Sequence, residues 1–153
     1  MTIWLFPGQP LQPEQATPDD ADFHALADLC RAHCGYDLIT HQPLAGHPLS
    51  HHTCLQIYGV AMSLYRARKL RNEGSVPSLI SEHSLGIYAA LAASGSIAEQ
   101  DALELVSRIG SCMSRMGAVE EYSLGCPIGL PIDPVEAADR KSTRLNSSHE
   151  SPS

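Results

Sequence analysis

Glu82-His83-Ser84-Leu85-Gly86 sets a serine between two kinds of element. An apolar run, Pro77-Ser78-Leu79-Ile80-Ser81, leads into it, and an alanine-rich run, Ile87-Tyr88-Ala89-Ala90-Leu91-Ala92-Ala93, leads out. Strand, sharp turn and helix with a serine at the apex is the geometry of a nucleophile elbow. The hydroxyl there stands clear of the sheet, and the N–H groups that open the helix stabilise a negative oxygen beside it. Such a site suits Ser84 to carrying an acyl group. The usual elbow reads Gly-x-Ser-x-Gly, whose first glycine lets helix and strand pack closely; here that position is Glu82. Taken alone, His-Ser-x-Gly also describes a serine that caps a helix.

The elements needed to position Ser84 are legible on both sides of it. Thr2-Ile3-Trp4-Leu5-Phe6 reads as a buried strand, broken by Pro7-Gly8-Gln9. A loop rich in Pro, Gln and Asp covers residues 7–20. Asp19, Asp20 and Asp22 favour a helix start, and residues 23–33 follow with Phe23, Leu26, Leu29 and Cys30 on one face. Gly35 ends that helix, and residues 38–50 read as loop. A long helix is expected over about 53–71, apolar on most sides and basic at its end, before a turn at Glu73-Gly74-Ser75. The second strand and the elbow come next, then a helix to about Ala93, a break at Gly95-Ser96, and a helix over about 98–116. Met113, Met116, Cys112 and Cys126 read as core residues.

Phe6-Pro7-Gly8-Gln9, then Gln12, and much later His83-Ser84-Leu85-Gly86, resemble the malonyl-CoA:acyl-carrier-protein transacylases, which also occur as acyltransferase domains of fatty acid and polyketide synthases. The family pattern is Phe-Pro-Gly-Gln-Gly-x-Gln followed by Gly-His-Ser-x-Gly. Gly35-Tyr36-Asp37-Leu38, Ser63-Leu64-Tyr65-Arg66, Tyr88-Ala89-Ala90-Leu91, Gly95 and Asp101-Ala102-Leu103 agree at matching spacing, so the resemblance spans about residues 3–131. It implies an α/β fold: the N-terminal part of a hydrolase-like parallel core, with a ferredoxin-like subdomain inserted later. It implies Ser84 as nucleophile, the backbone N–H groups of Gln9 and Leu85 as oxyanion hole, and His83 and Gly86 as elbow support. Acyl-CoA and an acyl carrier protein are then substrates, and neither a cofactor nor a metal is implied.

The departures from the family pattern are specific. Gly-x-Gln becomes Pro10-Leu11-Gln12, and a glutamine that helps line the family's site is Cys54. An arginine that pairs with the malonyl carboxylate aligns with Ile109, leaving Arg108 one place earlier. One residue turns a helix by about 100°, so Arg108 is expected to point elsewhere. That questions malonyl selectivity and leaves open a neutral acyl group or another carboxylate clamp.

Residues 1–120 are expected to form the N-terminal part of the core. Residues 121–138 begin the insert, with Tyr122 to Pro131 as its first strand and turn. Residues 139–153, opening Asp139-Arg140-Lys141-Ser142-Thr143-Arg144-Leu145-Asn146-Ser147-Ser148-His149, resemble one reading frame of a widely used sequencing-library adapter. They are set aside as a non-native, disordered tail. The family is about twice this length, so the chain reads as truncated before the catalytic histidine and inactive by itself.

The formal net charge of −7 argues against nucleic acid or an anionic membrane as partner. No apolar run is long enough to span a bilayer, and no signal peptide is evident. Five cysteines without framework spacing suggest reduced thiols in the cytoplasm, with Cys30 and Cys34 as core thiols near a helix end. His41, His47, His51 and His52 are spread through a proline-containing loop rather than held as a rigid pair, which reads against zinc. His83 adjoins Ser84, but neighbours on a sharp turn point apart, so it reads as structural rather than as the base. Two other function classes share these residues. One is a serine hydrolase, in which water replaces the thiol acceptor. The other is a non-catalytic docking module. Within the acyltransferases, the subunit of malonate decarboxylase is a further candidate.

Overall fold

A computed structural model describes residues 1–10, 12–14, 16–119, 131 and 133–137. The chain divides into two compact units, Met1–Glu120 and Glu121–Ser153. Of the second, residues 133–137 form a helical turn. The expected strand at 122–131, Cys126 and the tail at 139–153 lie outside the described residues, apart from Pro131.

The first unit runs β1 (Ile3–Phe6), α1 (Ala21–Cys34), β2 (Tyr36–Asp37), β3 (Gln42–Pro43), α2 (His51–Asn72), β4 (Leu79–Glu82), α3 (Gly86–Ala93) and α4 (Glu99–Val119). It is a mixed α/β fold. β1 and β4 pair in parallel, with Phe6 opposite Glu82. Parallel neighbours need a long crossover, and here α1, the β2–β3 hairpin and α2 supply it. Of that hairpin β3 falls within the segment expected to be loop, and β2 lies just before it. Its register pairs Tyr36 with Pro43 and Asp37 with Gln42. Proline lacks an N–H to donate, so the sequence carried little strand signal there.

Local chemistry sets the helix ends. The Asp20 carboxylate accepts from the Phe23 N–H at 3.1 Å and caps α1. The Tyr65 hydroxyl also donates to it at 2.8 Å, and these bonds hold the Asp20 carboxyl below the usual carboxylate range. Gly35, at φ +64°, ends α1, and its N–H donates to the Cys30 carbonyl. Ser50 caps α2 by accepting from the Thr53 N–H at 3.1 Å.

α2 is the central helix, packed against α1, α3 and α4. That position explains why it is apolar on most sides: Cys54, Leu55, Ile57, Tyr58, Val60, Ala61 and Leu64 are all buried. Phe23, Leu26 and Cys30 of α1 and Ala102, Leu103 and Val106 of α4 complete the core. Each fully buried large side chain contributes roughly 1.5–3 kcal/mol. α4 corrects three sequence expectations. Cys112 is exposed, as are Met113 and Met116 at 58% and 63%. Its buried stripe stops near Ser107 and Gly110, so the last two turns run beyond the core.

Candidate active site

Two loops leave the carboxyl ends of adjacent parallel strands, the place where open α/β sheets put their sites. One is Pro7-Gly8-Gln9-Pro10 after β1; the other is His83-Ser84-Leu85 after β4. The His83 N–H extends the ladder by donating to the Phe6 carbonyl at 3.0 Å. The strand therefore runs one residue further than expected, to Glu82, before the chain turns.

Ser84 sits at φ +54°. A left-handed backbone at a residue with a Cβ costs on the order of 1–3 kcal/mol and persists only where the surroundings impose it. The surroundings here are the first turn of α3. Gly86 N–H donates to the His83 carbonyl at 3.0 Å and Ile87 N–H to the Ser84 carbonyl at 3.3 Å. The Ser84 residue is exposed, and its hydroxyl has no hydrogen-bond partner among the described residues.

Gly86 is required by space. A Cβ there would lie 2.3 Å from the Phe6 carbonyl oxygen and 2.9 Å from that of Pro7. Helix α3 therefore starts directly against the backbone of the first loop. Gly8 is similar but looser: a Cβ would meet His83 Nδ1 at 3.0 Å. On the other side, Pro10 and Leu85 both pack on Gly59 of α2, where a Cβ would lie 2.7 Å from Pro10 Cδ and 3.2 Å from Leu85 Cδ2. Gln9 and Ser84 are thus each flanked by residues that meet, Gly8 with His83 and Pro10 with Leu85 through Gly59. Further along, the first loop is tied to α2 by the Glu14 N–H, which donates to the Tyr58 hydroxyl at 2.8 Å, and by the Arg66–Glu14 ion pair.

Glu82 stands where the elbow pattern has glycine, and it is exposed. Its side chain is therefore not wedged between strand and helix, and the close approach occurs at Gly86 instead. Sequence reasoning found Gly86 but missed Gly59, whose role needs the crossing of α2 beneath both loops. Cys54 is buried in the core, and burial pushes its thiol up.

Arg108 is elsewhere. Its side chain is 74% exposed and pairs with Glu104 at 2.5 Å, one turn back on α4. It lines a 550 Å³ cavity with His33, His47, Ser111 and Arg115, and none of residues 82–86 borders that space. A second cavity, of 370 Å³, lies between β1 and the α2 residues Ser63, Arg66, Ala67 and Leu70. Among the described residues no group of three His, Cys, Asp or Glu is placed to hold a metal ion, and no helix is long and apolar enough to cross a membrane.

No protein-family model matches the sequence, and no curated protein matches it. Solved structures do. The acyl-carrier-protein S-malonyltransferase of Burkholderia pseudomallei is 30% identical, with a TM-score of 0.61 over 74% of this chain and 39% of that one. A malonyl-transacylase solved in complex with its type II polyketide-synthase acyl-carrier protein gives 29% identity and a TM-score of 0.63, again over 74% and 39%. The acyl carrier protein S-malonyltransferase of Vibrio cholerae gives 27% and 0.61 over the same shares. The chain thus spans about two fifths of the length of the structures it matches. Motif order and fold together make it similar to the N-terminal part of the malonyl-CoA:acyl-carrier-protein transacylases.

Proposed function

We propose that this chain is the nucleophile-bearing part of an acyltransferase that moves an acyl group of malonyl type from CoA to an acyl carrier protein. Ser84 Oγ attacks the acyl-CoA thioester carbonyl, its proton passes to a base, and the CoA thiol departs to leave an acyl-serine ester. The pantetheine thiol of the carrier protein then takes the acyl group and frees Ser84. The N–H groups of Leu85 and Gln9 stabilise the tetrahedral oxyanion. His83 and Gly86 hold the turn.

The observation that carries this reading is the left-handed Ser84 at a strand-to-helix turn, with α3 started hard against the Phe6 carbonyl at Gly86. A helix-capping serine needs neither feature. In our reading none of residues 1–119 is the base, so that part alone transfers no acyl group at a useful rate; a positioned base typically contributes about 10²–10⁴-fold. The free cysteines Cys30, Cys34, Cys54 and Cys112 fit a reducing cytoplasm.

A fusion of residues 1–119 to the remaining part of the Burkholderia pseudomallei enzyme tests the proposal. It should transfer malonyl or acetyl groups from CoA to a carrier protein, and Ser84→Ala should abolish transfer. Release of free acid without acyl-carrier product would favour a serine hydrolase. No acylation in a folded fusion would favour a docking module.

A further inference from the structure

We infer that the 550 Å³ cavity between α4, the end of α1 and the loop at residues 46–49 is a binding site for a phosphate monoester. The whole chain carries a formal charge of −7, yet the cavity is bordered by Arg108, Arg115, His33 and His47. Arg108, Ser111 and Arg115 recur at three- and four-residue spacing and so form one stripe of α4. This stripe faces His33 at the end of α1 and His47 in the loop. His47 is held there by its N–H, which donates to the Leu44 carbonyl at 3.0 Å, and its ring lies against Gly35.

The basic groups are available. Among the described residues Arg108 is engaged by Glu104 alone, an exposed pair within one helix that holds it weakly. Arg115 donates to the Cys112 thiol at 3.1 Å and has no carboxylate partner among the described residues. The end of α1 is closed by its own turn and by the β2–β3 hairpin. The Gly35 N–H donates to the Cys30 carbonyl, and the Leu44 N–H to that of Gly35 at 2.8 Å.

Two guanidinium forks with a hydroxyl between them fit a tetrahedral dianion. One fork already saturates the two oxygens of a carboxylate, whereas a phosphate keeps oxygens and charge for the second. The open volume beside the arginines leaves room for an organic group attached to the phosphate. The site is independent of Ser84, and its success or failure is separable from that of acyl transfer.

The test is NMR titration of the full chain with inorganic phosphate, phenyl phosphate and malonate. Phenyl phosphate should give saturable shifts at Arg108, Ser111, Arg115 and His47, bind more tightly than inorganic phosphate, and weaken as salt is raised. Arg108→Ala and Arg115→Ala should each weaken binding about tenfold or more, from the loss of a charge-assisted bond. Arg115→Lys should keep part of the affinity, and Ser84→Ala all of it. Both arginines are exposed on a helix, so circular dichroism should show unchanged folding. Shifts that do not saturate, lie elsewhere or survive Arg115→Ala would overturn the site. Malonate binding as tightly as phenyl phosphate would overturn its phosphate selectivity.

Discussion

The two faces of the β1–β4 pair have opposite surroundings. On the inner face Trp4 and Phe6 are buried against the helices; the Trp4 Nε1–H donates to Ser75 Oγ at 3.3 Å, and the Arg71 guanidinium lies 5.7 Å from its ring centroid. On the outer face Ile3, Leu5 and Leu79 are 52%, 70% and 50% exposed. Parallel sheets are ordinarily covered on both faces. The difference teaches that the elbow is assembled from inner-face packing alone. Gly86 against Phe6, and Pro10 and Leu85 on Gly59, all lie on the helical side.

The largest test of this asymmetry compares Trp4→Ala with Leu5→Ala. The inner substitution should cost about 3–5 kcal/mol, and the outer one about 0.5 kcal/mol, by urea denaturation. Similar losses would show that the outer face is packed in solution. Next in size is a glycine pair. Gly86→Ala should cost about 1–3 kcal/mol, because its Cβ cannot clear the Phe6 carbonyl. Gly117→Ala, in the open on α4, should instead stabilise by about 0.5–1 kcal/mol.

A smaller effect isolates the strain at Ser84. Ser84→Ala keeps a Cβ at φ +54°, whereas Ser84→Gly removes it, so the glycine variant should be the more stable by about 1 kcal/mol. An alanine variant equal to the glycine one would mean that the turn is not strained. The smallest stability change is expected for Leu5→Lys, within about 0.5 kcal/mol. Its sedimentation should nonetheless show less self-association than the wild type, since a charge on the outer face and edge opposes pairing with a second sheet.

Much of this was legible in the sequence, because local chemistry decides it. Asp20 and Gly35 mark helix ends, and the short apolar run before His83 reads as a strand; the Ser50 cap, which starts α2 two residues before the expected 53, was not read. The elbow follows from the order strand, serine, glycine, helix. The left-handed backbone of Ser84 and the platform at Gly59 needed the tertiary path of α2. The β2–β3 hairpin was hidden by Pro43, and α4 misled for a different reason. Its apolar spacing continues through Met113 and Met116, but α2 meets these last turns through the polar Ser114, which bonds to Ser50 and Thr53, and leaves both methionines exposed. The arginine stripe at Arg108 and Arg115 was readable as spacing, yet only the placement of His33 and His47 gives it a cavity to line.

The central claim is that Ser84 is an acyl-carrying nucleophile. The most direct measurement is intact-mass spectrometry and peptide mapping of the fusion protein after brief exposure to malonyl-CoA or acetyl-CoA. The account predicts one added acyl group, on the peptide containing Ser84, that disappears in both Ser84→Ala and Ser84→Gly and on addition of carrier protein. An acyl group on any other residue, or none on Ser84 in a correctly folded fusion, would contradict it.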